Sequence, residues 1–325
     1  MSWRETPLTR LLGVRLPIVQ AAMAGGPSTA RLAAAVSEAG GLGSVAGATL
    51  SPDELCTAIR ETRALTDRPF AVNLFAPLPP PSTARVAAWA ALFDRERALP
   101  RPPEWSVEDQ LAVLAAEDVR IVSFTFGIPP VDRLEAITMG TATTVAEAVV
   151  LERAGVDVIV AQGFEAGGHR GTFLAEAEHS LVGTLALVPQ VVDSVSVPVV
   201  AAGGIMDGRG IAAVLALGAD GVQLGTAFIA CPESGATEEH RAVLGSETTI
   251  TRVMTGRHAR GIRSPLVDEL ERAGVEPPDY PLPRFFYPEP VLLFGQGGPL
   301  ARALPVGKLV ATLVEETDAA LTRLG

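Results

Sequence analysis

The chain has 325 residues, 48% of them hydrophobic but only 5% aromatic, and carries a net charge of −11. That charge, with no basic cluster to line up against phosphates, excludes nucleic acid as a partner; a core of Ala, Val and Leu suits parallel strands covered by helices on both faces. No basic patch leads into an apolar stretch at residues 1–7, and no run approaches the ~20 apolar residues of a membrane span, so a cytoplasmic protein without membrane contact is expected.

Short apolar runs alternate with Ala-rich helical stretches. Strands are predicted at residues 18–22, 42–45, 70–74, 121–124, 136–139, 158–161, 199–202 and 221–225. Strands alternating with helices imply parallel pairing through right-handed crossovers. The helix starts agree. Ser51-Pro52-Asp53-Glu54 reads as a capping box with proline at the first helical position, Thr144-Val145-Ala146-Glu147 repeats the box, and Ser28 is placed to cap a helix beginning near Thr29. Ala154-Gly155-Val156-Asp157-Val158 and Leu217-Gly218-Ala219-Asp220-Gly221 echo each other as helix end, glycine stop, aspartate and strand. Eight such units favour an α/β fold closed into a (β/α)8 TIM barrel over an open sheet.

Two segments break the rhythm. Residues 77–103 are Pro-rich, with a helix predicted at 84–99, and form an excursion after the third strand. Residues 227–289 contain no clear βα unit and read as a small second domain, a substrate cap inserted after the eighth strand; 1–226 and 290–325 are then the barrel. A last helix is predicted at Val306–Leu324.

In a barrel the active site lies at the C-terminal ends of the strands. Gly203 and Gly204 follow the seventh strand, ahead of a helix starting near Asp207, and Gln223-Leu224-Gly225-Thr226 closes the eighth. Glycine backbone at these two turns makes a phosphate site where barrels commonly carry one. The sixth strand runs into Gln162-Gly163-Phe164-Glu165-Ala166-Gly167-Gly168-His169-Arg170-Gly171. His169 is thereby placed for proton transfer, and its glycine neighbours let a flat ring approach the backbone. Asn73 offers an amide at the end of the third strand, or forms a turn there.

The other histidines are weaker candidates. His179 either lines the site or caps the next helix, His240 belongs to a charged and solvated helix, and His258 is an outside candidate for facing the pocket. No histidine and carboxylate set has metal-ligand spacing, so no metal is expected, and Glu176-Ala177-Glu178-His179 reads as surface. Cys56 and Cys231 form no CxxC pair and give neither a disulfide framework nor a zinc site. The glycines of Gly41–Gly47 follow a helix and enclose a strand, so they are no dinucleotide fingerprint.

Together, Pro17-Ile18-Val19-Gln20-Ala21-Ala22-Met23-Ala24-Gly25-Gly26, Val72-Asn73-Leu74-Phe75, the 162–171 loop, 201–205 and 223–226 resemble the nitronate monooxygenase (2-nitropropane dioxygenase) family. Phe294-Gly295-Gln296-Gly297 looks like a further signature, while Ala22 and His258 stand where the family more often has proline. The resemblance implies FMN as cofactor, with Met23 against its ring and contacts from Asn73, Gln162, Gly167, Gly204, Gln223, Gly225 and Thr226. Gly168, Gly203 and Leu224 from the same loops complete the set, and His169 matches the catalytic histidine. The implied reaction oxidises an alkyl nitronate with O2 to a carbonyl compound and nitrite. His169 either removes a proton from a neutral nitroalkane or, protonated, attracts the nitronate.

A similar barrel and glycine–histidine loop occur in FMN-dependent NAD(P)H oxidoreductases of the quinone reductase and enoyl-acyl-carrier-protein reductase types. The Gly168-His169-Arg170-Gly171 form favours the monooxygenase. A non-enzymatic flavin or ligand-binding protein is disfavoured by the position of His169. Phe164, Phe173, Tyr280 and Phe285-Phe286-Tyr287 are read as core residues with the option of shaping the pocket. The physiological substrate and the oligomeric state, a homodimer included, stay open.

Overall fold

The computed structural model describes residues 2–93, 99 and 103–324. Strands β1 (Ile18–Gln20), β2 (Gly43–Ala46), β3 (Phe70–Phe75), β4 (Ile121–Thr125), β5 (Ile137–Ala142), β6 (Val158–Gln162), β7 (Gly168–His169), β8 (Val199–Ala202), β9 (Gly221–Leu224), β10 (Thr248–Thr251) and β11 (Ala259–Ile262) fall into two sheets. The larger has eight parallel strands in the order β1-β9-β8-β6-β5-β4-β3-β2. Its two edges meet through Val19 and Leu42, where Leu42 N donates to Ile18 O (2.9 Å) and Gln20 N to Leu42 O (2.8 Å). The result is a (β/α)8 TIM barrel.

The helices are α1 (Pro7–Leu12), α2 (Ala30–Ala39), α3 (Pro52–Leu65), α4 (Val86–Ala90), α5 (Val107–Ala116), α6 (Val145–Arg153), α7 (Thr184–Val192), α8 (Gly208–Ala216), α9 (Thr226–Ile229), α10 (Glu238–Ala242), α11 (Pro265–Ala273) and α12 (Val306–Leu324). The capping box at Ser51 is closed in both directions. Two other expected caps differ. Thr29, not Ser28, caps α2, because the Ser28 hydroxyl instead accepts from Met23 N (2.8 Å) and Gln20 Nε2 (2.9 Å) inside a closed turn. Thr144 caps α6, but the Glu147 carboxylate turns inward to Thr143 N (2.7 Å) and leaves the box open. Gly155 and Gly218 have φ of 83° and 95°, the left-handed conformation that stops a helix. The aspartates that follow tie neighbouring strands, Asp157 accepting from Thr138 N (2.8 Å) and Asp220 from Val199 N (3.1 Å).

Side chains alternate along each strand, and this partitions the core. Ile18, Phe124, Ile159, Ala201 and Leu224 pack outward against the helix ring, which α12 completes beside α2 and α8. Val19, Ala71, Ile121, Met139, Val158 and Val200 cluster with Leu8 and Leu12 of α1, which plug the N-terminal end of the barrel. A deletion such as Leu8→Ala in that plug would cost about 2–5 kcal/mol.

Of the helix predicted at 84–99 in the Pro-rich excursion, the described residues form α4 and a 3-10 turn at Ala91–Phe93, and residues 94–98 lie outside the described residues. Trp89 draws the segment inward, fully buried against Val253, Met254, Val267, Leu270, Phe286 and Tyr287. Arg85 adds ion pairs to Glu276 (3.2 Å) and Asp279 (3.6 Å). In the small sheet β10 and β11 run antiparallel, and β11 also pairs with β7, opposing Ala259 to His169 and Arg260 to Gly168.

Candidate active site

A cavity of about 620 Å³ opens at the C-terminal ends of the barrel strands. It arises from the same alternation that builds the plug. Each inward face that begins apolar ends polar: Ala71 leads to Asn73, Ile121 to Ser123 and Thr125, Met139 to Thr141, and Val160 to Gln162. Gln223 on β9 joins this ring.

Two glycine-rich segments line it side by side, both packed against the 163–167 loop. Gly203 and Gly204, directly after β8, have φ of 116° and 73°, so any other residue there would be strained. In the neighbouring segment, a Cβ on Gly167 would lie 2.4 Å from the carbonyl carbon of Phe294 and 2.5 Å from Gly295 N. The 294–297 segment is held in that contact by Gly295 N donating to Thr226 Oγ1 (2.9 Å) and Gln296 N to Glu165 O (3.0 Å).

The loop after β6 is fastened from within. Gln162 Oε1 accepts from Gly171 N (2.8 Å) and Arg170 Nη1 (3.1 Å), and its Nε2 donates to His169 O (3.0 Å). Its carboxamide therefore braces the loop as well as lining the cavity. Arg170 is buried and donates to Gln162 O (2.7 Å), Gly163 O (2.9 Å) and Ser180 O (2.5 Å). Burial brings this guanidinium down to about 10.

The His169 ring stands between Tyr280 and Phe126, at 5.2 and 5.9 Å between ring centres, with Nε2 3.1 Å from Thr255 Oγ1. Burial, reinforced by the positive charges of Arg257 and Arg284, lowers its pKa to about 4. The imidazole is therefore neutral at physiological pH. Phe126 holds a φ of 75°, rare for a bulky residue and a form of backbone strain that gathers at functional sites.

Met23, Asn73, Gln162, Gly167, Gly168, His169, Gly203, Gly204, Gln223, Gly225 and Thr226 all line the cavity. Leu224 does not. Gln223 faces inward, so its neighbour points outward into the helix-packed core, 1% exposed. Asn73 lies within β3 rather than in a turn, and its amide donates to Ser123 Oγ (3.0 Å). His240 is buried rather than solvated, because the one-turn α10 aims it at Leu293 O (3.1 Å) and into the cavity wall. His258 is drawn away from the cavity to Glu178 (3.1 Å), and His179 is exposed on a 3-10 turn at Ala177–Ser180. Tyr280 lines the cavity, whereas Phe286 and Tyr287 are core and Phe164 lies under Arg260.

Phe126, Thr255, Arg257 and Arg284 were not singled out in the sequence. Arg284 lines the cavity, and Arg257 sits behind Phe126, 4.0 Å from its ring centre. Among the described residues no group of three or more His, Cys, Asp or Glu is arranged to hold a metal, and no helix is long and apolar enough to cross a membrane.

A closed eight-stranded barrel with a half-buried neutral histidine and adjoining glycine-rich segments at its C-terminal mouth defines a TIM-barrel enzyme. The sequence profile described as nitronate monooxygenase matches residues 5–285. A nitronate monooxygenase of Pseudomonas aeruginosa is 45% identical over 95% of this chain and 98% of its own length. The crystal structure of nitroalkane oxidase from Streptomyces ansochromogenes is 41% identical and superposes with a TM-score of 0.89, over 98% of this chain and 100% of that one. FabK from Thermotoga maritima is 31% identical with a TM-score of 0.79, over 98% of both chains. The chain belongs to the nitronate monooxygenase family, whose members are flavin-dependent oxidoreductases.

Proposed function

We propose that the chain binds FMN and oxidises alkyl nitronates with molecular oxygen, releasing a carbonyl compound and nitrite. The observation that carries this reading is a neutral His169 at the wall of a glycine-lined cavity of about 620 Å³. That volume lies within the roughly 300–1,000 Å³ usual for cofactor sites. Backbone at Gly203, Gly204, Gly225 and Thr226 would hold the phosphate, with Met23, Asn73, Gln223 and the Gly167–Gly168 backbone around the ring. FMN, when bound, supplies the redox chemistry; the chain orients it and tunes the electrostatics.

His169 then acts as a base on neutral nitroalkanes rather than as a cation that attracts the nitronate. Positive charge comes instead from Arg284 on the cavity wall, which favours the anionic nitronate. Phe75, Phe126 and Tyr280 pack together and give the histidine apolar ring neighbours. Residues 227–289 serve as the substrate cap, and a cytoplasmic location suits both substrates, the small nitro compound and oxygen.

The test is a visible spectrum of the purified protein, followed by alkyl nitronate and, separately, NADH and NADPH under air. Oxygen uptake with nitrite release on nitronate, and no oxidation of pyridine nucleotide, is the expected result. Flavin bleaching by NADH or NADPH without any response to nitronate would move the chain to the reductases, and failure to take up FMN would overturn both.

A further inference from the structure

We infer that Thr255 is a positioning residue that fixes the tautomer of His169, placing the ring proton on Nε2 and leaving Nδ1 as the only nitrogen available to substrate. The Thr255 hydroxyl lies 3.1 Å from His169 Nε2 and 3.0 Å from the carbonyl oxygen of Arg257. It has one hydrogen to give. A carbonyl oxygen can only accept, and among the described residues Arg257 O has no other donor. The hydroxyl hydrogen therefore goes to Arg257 O, and a lone pair faces Nε2. That nitrogen must carry hydrogen. The opposite assignment would leave Arg257 O unpaired and facing the lone pairs of another oxygen, in a setting where an unmade hydrogen bond is costly.

The hydroxyl is held rigidly enough to impose this choice. Thr255 is 4% exposed, and its turn is closed by Thr255 N and Gly256 N both donating to Arg252 O (3.2 and 2.7 Å). Gly256 has a φ of 89° and presses on the 278–280 backbone, where a Cβ would meet Pro278 O at 2.5 Å. On the far side β7 is locked to β11, so neither partner can drift. A histidine's second nitrogen commonly sets its tautomer in this way.

The consequence for turnover rests on the base role given to His169 above; the tautomer itself does not. The experiment is nitrogen NMR of FMN-loaded enzyme labelled at histidine, in the wild type and in Thr255→Val and Thr255→Ser, with His169→Asn to assign the signal. A pyridine-like Nδ1 and a pyrrole-like Nε2 are expected in the wild type and in Thr255→Ser, and a mixed or reversed pattern in Thr255→Val. In parallel, Thr255→Val should lose about tenfold more kcat/KM on neutral nitroalkane than on preformed nitronate, since only the former needs a base. A wild-type proton on Nδ1 overturns the assignment. The assigned tautomer with equal losses on both substrates overturns the base role of His169 and leaves the Thr255 assignment standing.

Discussion

The guanidinium of Arg257 lies 4.0 Å from the centre of the Phe126 ring while it donates to the carbonyl of Thr172. The cation is thereby fixed close to His169, whose ring lies 5.9 Å from that of Phe126 and nearly perpendicular to it. Burial alone disfavours the imidazolium, and a fixed positive charge disfavours it further.

The pH dependence follows. Turnover of a neutral nitroalkane should show an acid limb with its midpoint near 4 rather than near 6.5. Stability moves in a defined direction. The unfolded chain takes up a proton at His169 near 6.5 while the folded ring resists until about 4, so the unfolded state binds more protons in between. This contribution, about 3 kcal/mol, is complete above the unfolded pKa and is lost as the pH falls through that window. Urea unfolding between pH 4 and 7 measures it, and a flat profile would contradict a buried neutral histidine.

Arg257→Met separates charge from packing. The methionine keeps an apolar stem over Phe126 but removes the cation and the bond to Thr172 O. The acid limb should move to higher pH, and stability should fall by about 1–3 kcal/mol. An unmoved limb with the same loss of stability would show that burial and Arg284, without Arg257, set the protonation of His169.

The barrel was legible in the sequence because apolar runs and turn residues mark strands reliably; the site was less so, for a reason that the strands themselves show. Predicted strands stopped at Leu74, Phe124, Met139 and Ala161, whereas the real ones continue through Phe75, Thr125, Ala142 and Gln162. The missing ends carry or adjoin the inward polar residues of the cavity, which an apolar criterion reads as loop. The side chain of Leu224 faces away from the cavity for the converse reason, since a motif does not say which of two neighbours faces inward. Thr255 and Arg284 come from a segment with no periodic pattern and are brought to His169 only by the β7–β11 pairing and the chain beyond it.

Glu147 tests how the catalytic loop is anchored. Its buried carboxylate accepts from Thr143 N and Oγ1 (2.7 and 2.6 Å), Thr172 Oγ1 (2.8 Å), Phe173 N (2.6 Å) and Leu174 N (3.1 Å). Each of these partners has a hydrogen to give, although the single hydrogen of the Thr172 hydroxyl is shared with Ala175 O (2.9 Å). Glu147→Gln would turn an amide NH2 toward one group of them, at a cost of about 3 kcal/mol. Thermal unfolding should show a Tm several degrees lower, with protease cutting first at 170–176. Wild-type stability would mean that the loop is anchored elsewhere.

Gly167→Ala tests the glycine-lined walls. The new methyl would meet backbone atoms of Phe294 and Gly295, which cannot swing aside as a side chain can. The 294–297 segment must shift, carrying Gly295 N away from Thr226 Oγ1 and Gln296 N away from Glu165 O. Overpacking of this kind costs about 1–3 kcal/mol. If the walls hold FMN, its Kd should also rise by about tenfold, read from the quenching of flavin fluorescence on binding. Gly155→Ala is the control: φ there is 83°, so alanine is strained by about 1–2 kcal/mol, but nothing lies within 4 Å of the new methyl. Both variants lose stability; only the first should lose flavin. Equal flavin affinity in the two would separate the glycine walls from cofactor binding and send the search for the FMN site to another part of the barrel mouth.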